Sequence, residues 1–522
     1  MLRSASLAAL SLFAVLVAAC GGGSGSGDVD PATAVPRGAL FYMEVSVRPE
    51  GEVRESALDA AGKVLRTADP EAKIRELVDK AFADSGEADV SYERDVEPWL
   101  GERAGLWVSD RLDEGGDPGV VGIVATTDAD EAQSAIEEGR KRSGEPPTTK
   151  RSHAGVDYQV DKDGFAYAVT DDFVLFGDEP ELRQTIDATK GESLAEEDRY
   201  RDAIAGLDDN RLAHFFVDLK RVIDLGVRGE PGAAEQLRQL ETFFPLSQLP
   251  PLSGAFLADG DRLALDMALH AESGEVLDRL GALGGGAGSS PLLGELPGDS
   301  WAALAAPKMG ETLRRTFDQL AGAVGGSVVT EQLRREYGLD LERDFFSWMG
   351  DAAVFVRGDS VDELDGGLVI GVTDEDRARD AFGKLVGALQ KAGGVRARPV
   401  RIAGAESAFV IRQPSMPAPI VFARGGDKVV LTYGEDAAVQ ALDPETKLAD
   451  SDVYREGADA LGGVDPSILV SVPGIDSLVE SAGAADADWE QVRPYLETLT
   501  VFAIGGEREG STALTRIAAG LR

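Results

Sequence analysis

The side chains able to do chemistry in this chain are few: one cysteine, Cys20, and three histidines, His153, His214 and His270, among 522 residues. A thiolate zinc site needs more sulfur than one cysteine supplies, and an all-histidine site would need all three rings at one point. His214 and His270 fall in segments that read as strands, where a hydrogen-bonded core histidine is the ordinary outcome. No Gly-x-Ser-x-Gly turn is present to raise a serine nucleophile, and no glycine loop carries the strand, helix and lysine of a phosphate cradle. Asp161-Lys162-Asp163-Gly164 begins like a calcium loop. The apolar run Phe165–Val169 then fills the positions where further oxygen ligands belong, so a hairpin turn is expected. No catalytic residue, metal site or cofactor is expected.

Cys20 has a different chemistry open to it, acylation. It follows Val17-Ala18-Ala19, an apolar run from Leu7 to Val17, and one early cation, Arg3. A charged start, a brief apolar run and small residues describe a secretory signal. The run is too short to cross a bilayer, which takes about 20 residues. The pattern resembles the lipobox of bacterial lipoproteins. That resemblance implies a signal peptide at 1–19, cleavage before Cys20 and diacylglycerol on its sulfur, with acyl chains such as palmitate. It implies attachment at the outer face of the cytoplasmic membrane, with the lipid as the membrane partner. Residues 20–36, opening with GGGSGSG at 21–27, read as a flexible tether of roughly 20–25 Å.

The charge balance excludes one class of partner. Asp and Glu number 92 against 52 Lys and Arg, a formal charge of −40. A nucleic-acid binder needs a cationic footprint to displace counterions. This chain carries the opposite field, so no nucleic-acid partner is expected.

The elements that position any site come in two sets. Glu93-Arg94-Asp95-Val96-Glu97-Pro98-Trp99-Leu100-Gly101 recurs as Glu342-Arg343-Asp344-Phe345-Phe346-Ser347-Trp348-Met349-Gly350, 249 positions later. Thr127-Asp128-Ala129-Asp130 recurs as Thr373-Asp374-Glu375-Asp376, and Asp198-Arg199-Tyr200-Arg201 as Asp452-Val453-Tyr454-Arg455. The order is kept and the spacing drifts only slightly, which implies two homologous tandem units at 37–275 and 295–522. A Gly-rich linker, 276–294, joins them.

Each unit opens with a strand (39–45; 301–305), followed by helices. Asp69-Pro70-Glu71 is a helix start, and Ile74, Leu77, Val78, Ala81 and Phe82 behind it form an apolar face. Leu313, Phe317, Leu320 and Val324 do the same in the second unit. Asp128 and Asp374, each followed by a second acid, stand where further helices begin. Hairpins are expected at Asp163-Gly164 and, in the corresponding place, Gly425-Gly426; closing hairpins are expected at Asp259-Gly260 and Gly505-Gly506. The fold class is α+β, each unit a mainly antiparallel sheet with hairpins packed against helices.

This layout, with Trp-x-Gly after an acidic turn, resembles the bacterial family designated domain of unknown function 3352, common in exported actinobacterial proteins. The resemblance implies export and the repeated fold and brings no site residues. Trp99 and Trp348 are expected to plug the core, and Gly101 and Gly350 to supply turns with positive φ. Together these readings imply a lipid-anchored envelope protein that binds or scaffolds and is not an enzyme. A carrier of lipid or another hydrophobic ligand is the first alternative, with an envelope protein as the other partner class, and a hydrolase the second.

Overall fold

The computed structural model describes residues 29–522, except 85–88, 114, 145, 230–231, 233–234, 236, 239–240, 242–245, 281–287, 325, 394–395 and 414–415. The segments expected to be a signal peptide (1–19) and most of a tether, with Cys20, lie outside the described residues. The fold is mixed α+β, and the chain divides into two compact units: residues up to 279 with 510–512, and 280–509 with 513–522.

Among its described residues the first unit has ten strands: β1 (Phe41–Ser46), β2 (Leu100–Leu112), β3 (Pro118–Thr126), β4 (Thr149–His153), β5 (Val156–Val160), β6 (Phe165–Val169), β7 (Phe173–Asp178), β8 (Ala213–Val217), β9 (Leu252–Asp259) and β10 (Arg262–His270). They pair in the order β4-β5-β6-β7-β3-β2-β1-β8-β9-β10, every pair antiparallel. Both faces of this sheet are covered. On one, Ile74, Val78 and Phe82 from the helix Pro70–Asp84 pack with Trp99, Leu106 and Phe176. On the other, Leu182, Ile186 and Tyr200 pack on Trp107, Ile123 and Phe216.

The second unit comprises β11 (Ala302–Ala306), β12 (Met349–Arg357), β13 (Asp365–Val372), β14 (Ala397–Pro399), β15 (Ser407–Ile411), β16 (Ile420–Gly425), β17 (Lys428–Tyr433), β18 (Pro466–Ser471), β19 (Leu499–Glu509) and β20 (Thr512–Leu521). Their order is β14-β15-β16-β17-β13-β12-β11-β18-β19-β20. Phe382 of the helix Glu375–Gly393 stacks on Phe422, centroids 4.5 Å apart, above Trp348 and Val429. Among the described residues no helix is long and apolar enough to cross a membrane.

Helix starts follow the local signals. The carboxylate of Asp69 accepts from Ala72 N at 3.0 Å, that of Asp128 from Glu131 N at 3.0 Å, and that of Asp374 from Arg377 N at 3.1 Å. Leu77 is exposed, so the buried face of its helix is the narrower stripe Ile74, Val78, Phe82. Leu313 and Phe317 are half-buried; the side chains of Leu320 and Val324 lie outside the described residues.

Several expectations are corrected. Residues 31–36 are not tether: Pro31–Ala34 form a short 3-10 turn, and Ala32, Ala34 and Val35 are fully buried. The linker is shorter than 276–294, since Val276 and Leu277 are buried in the helix Gly274–Leu280 and Leu293 in the turn Pro291–Gly294. Gly505 and Gly506 lie inside β19, and the closing turn falls at Gly510, φ +58°. A Cβ on Gly505 would come within 2.6 Å of the Asp465 carbonyl, beside a register shift between Pro466 and Ile468. Glycine there permits close backbone approach, not a turn. The first closing loop falls at 260–261, between the paired Asp259 and Arg262. The Gly425-Gly426 hairpin joins β16 to β17, the strand paired with β13. Its positional counterpart is the turn between β6 and β7, not Asp163-Gly164 between β5 and β6.

Candidate functional site

The repeated acidic motif builds the same small structure in each unit. Tyr92–Val96 and Glu342–Phe346 each form one π-helical turn. The indole N–H of Trp99 donates to the Asp95 carbonyl at 2.7 Å, and that of Trp348 to the Asp344 carbonyl at 3.0 Å. The Trp99 carbonyl accepts from Thr126 Oγ1 and Thr127 N, and the Trp348 carbonyl from Thr373 Oγ1 and N, all at 2.9–3.0 Å. Both rings are buried, 7% and 1% exposed. Pinned at both ends and enclosed, they act as core.

The acids under these rings are held as carboxylates. Burial pushes Asp95 upward, but Arg94, the Ser91 amide and Arg142 outweigh it and hold the carboxyl at about 2. Arg142 Nη2 approaches to 2.5 Å. Asp344 stands well below the usual range for the same reasons, with Arg343, Lys384 and the Asp340 amide as donors. Gly101 and Gly350 do not have positive φ, contrary to expectation. They provide clearance: a Cβ would meet Ala125 backbone at 2.8 Å or the Gly371 carbonyl at 3.1 Å.

The histidines lie on β4, β8 and β10. His153 Nε2 meets Asp187 Oδ1 at 2.8 Å, and buried His214 meets the Tyr200 hydroxyl at 2.9 Å. Asp161 Oδ1 accepts from Asp163 N and Phe165 N, which makes its loop an Asx-type turn. Among the described residues no three His, Cys, Asp or Glu side chains gather in a metal-binding group.

A cluster with no counterpart in the motif analysis lies on β1. Glu44 is 8% exposed, and its Oε2 accepts from the Tyr42 hydroxyl at 2.8 Å. Across the ladder Glu44 faces Gly105 and His214. Arg103 Nη1 lies 3.5 Å from Oε1. Burial first, then the Asp30 charge, raises Glu44 to about 7. Burial, aided by Arg211 and Arg103, lowers His214 to about 3 and keeps it neutral. Tyr42 packs edge-on against Tyr200, centroids 5.8 Å apart. β11, which lies between β12 and β18 as β1 lies between β2 and β8, reads AALAA and supplies no such groups.

The first unit also holds a cavity of about 780 Å³, lined by Gln133, Lys150, Tyr158, Gln159, Thr170 and Lys190 among others. Its lining is mixed and mostly polar, and Lys150 is paired with Asp157 at 2.7 Å. Glu44 does not line it. In the second unit, Leu304 and Val354 face each other in register and are 41% and 43% exposed; Phe502, paired with Val470, is 37% exposed. Ile468 continues the Leu304 row.

A family model described as "Protein of unknown function (DUF3352)" matches residues 4–462. The chain belongs to the DUF3352 family. No curated protein matches it. Solved structures similar to it include three crystal forms of TP0453. Form I shares 10% identity over 47% of this chain and 80% of that one, and form IV 9% over 47% and 81%, both with TM-score 0.24. Form III shares 10% over 49% and 87%, with TM-score 0.23. Similarity at that level carries no argument about fold or function.

The Glu44 cluster in this DUF3352 chain left one trace in its sequence. In FYMEVS the tyrosine and glutamate stand two apart, so they share a strand face. A glutamate at an inward position of an opening strand marks a buried polar site, but its partners Asp30, Arg103, Tyr200 and His214 come from separate elements.

Proposed function

We propose that this DUF3352 protein is a lipid-anchored envelope protein that binds or scaffolds an apolar partner surface and catalyses no reaction. The exposed apolar pair Leu304 and Val354, facing each other on adjacent strands, with Phe502 two strands further along the sheet, carries this reading, because water-facing side chains of this kind mark interaction sites. The enclosure of the perturbed acid behind Tyr42 and Tyr200, away from the cavity, also speaks against turnover. The lipobox resemblance at Cys20 supports attachment to the outer face of the cytoplasmic membrane. Two homologous tandem units are supported by the matching strand orders and by the shared hydrogen bonds of Trp99 and Trp348. The same apolar row suits an acyl chain, so carriage of a hydrophobic ligand is the second reading.

A photo-crosslinking residue at Val354 in the producing cell tests the proposal. A discrete protein adduct, lost when Leu304→Asp is added, is expected for a scaffold. A lipid adduct instead would select the carrier reading. No adduct dependent on Leu304 would overturn both.

A further inference from the structure

Charge is spread unevenly over this acidic chain. Residues 381–426 hold seven Lys and Arg but one acid, Glu406. They run from the helix Glu375–Gly393 through β14 and β15 to the end of β16, at one end of the second unit's strand order. The stretch in the same place of the first unit's order, 132–169, holds six Lys and Arg and six acids. There the cations of the edge strand β4 are matched. Lys150 pairs with Asp157 at 2.7 Å and Arg151 with Glu179 at 2.6 Å.

In the second unit four of the seven cations are committed. Lys384 pairs with Asp344, Arg412 with Glu435, and buried Arg424 takes Glu406, the one local acid. Lys391 donates to the Glu336 carbonyl. Arg396, Arg398 and Arg401 are left, all exposed, on and beside the edge strand β14. Among the described residues none of the three has an ion pair or a side-chain hydrogen bond. Unmatched guanidinium groups this close in sequence offer paired donors to anionic oxygens, phosphate above all.

This edge is poorly suited to an added peptide strand. Pro399 has no N–H to give, and the Ala397 carbonyl already accepts from Gln390 Nε2 at 2.9 Å. An apolar side chain stands with the arginines instead. The buried stripe of the helix, Phe382 and Val386, continues to Leu389, which is 46% exposed and next to the Gln390 that reaches β14. Cations beside an exposed apolar side chain match a surface with phosphates outside and acyl carbon beneath.

We propose that Arg396, Arg398 and Arg401, with Leu389, form a contact surface for anionic phospholipid headgroups. The contact turns this end of a strongly acidic unit toward the membrane. It rests on the attachment read from Cys20: the lipid there holds the chain, and the arginines orient it.

The test uses the full chain recovered from its host's membranes, carrying a photo-crosslinking residue at Leu389. It is reconstituted with vesicles of phosphatidylcholine alone or mixed with phosphatidylglycerol. A phospholipid adduct is expected in the mixed vesicles. Its yield should fall about tenfold or more in phosphatidylcholine alone, in the triple variant Arg396→Gln, Arg398→Gln, Arg401→Gln, and at about 1 M salt, where the Debye length is about 3 Å. The three side chains have no partners to lose, so the variant should melt like the unaltered chain. Equal yields in the two kinds of vesicle, or a yield that survives the triple variant, would overturn the contact. So would an arginine-dependent adduct to a second copy of the chain, which would mark an acidic protein surface as the partner. Flotation of the same samples separates the two readings. A chain that floats without labelling overturns this contact alone; a chain that does not float overturns the anchor and this contact with it.

Discussion

At the scale of single residues, the repeated tryptophans separate a structural role from a binding role. Each indole N–H is committed to a carbonyl four residues earlier, and each ring lies among core side chains. Removing Trp348 should cost on the order of 3–5 kcal/mol through lost packing and a residual cavity. That is a large part of the 5–15 kcal/mol that holds a typical domain. Thermal and denaturant unfolding of Trp348→Ala should therefore show a clear loss of stability, and a near-native melt would mean that the ring can leave without penalty. The tryptophans were legible in the sequence because the Glu-Arg-Asp start, the Trp and the Gly of the motif recur at one spacing. The cluster around Glu44 was not, because Arg103 and His214 come from strands far from it in the sequence.

At the scale of elements, local rules succeeded where the partner lies within a few residues. Asp69, Asp128 and Asp374 cap the helices they precede, because a side-chain acceptor three residues ahead of an orphan amide needs no tertiary context. Glycine pairs were less reliable guides. Gly505-Gly506 has the composition of a turn, yet the loop at 464–465 presses on β19 at Gly505, and the turn is delegated to Gly510. β4 was missed because TKRSH has no apolar residue, its strand pairing being supplied by β5 alone. Close approach at Gly505 makes a direct prediction. Gly505→Val should destabilise the second unit by about 1–3 kcal/mol through overpacking against Val464 and Asp465, while Gly510→Ala should act only through its positive φ. Urea titration of the two variants checks this; equal small effects would contradict the close-approach account.

At the scale of the whole molecule, the ten strands described in each unit follow one order, and among the described residues the Glu44 cluster lies in the first unit and the exposed Leu304 and Val354 in the second. The net charge of −40 repels anionic headgroups, so the proposed attachment to a membrane rests on the lipid at Cys20. One acyl chain binds marginally and two bind stably, which suits a diacylated cysteine. The most direct test of the anchored-protein account is the intact mass of the chain recovered from its own host's membrane fraction, with Cys20→Ser alongside. The account predicts a chain beginning at Cys20 and carrying a diacylglycerol mass, with the variant lost from the membrane fraction. A chain that begins elsewhere, lacks the lipid mass, or stays membrane-bound as Cys20→Ser would contradict it.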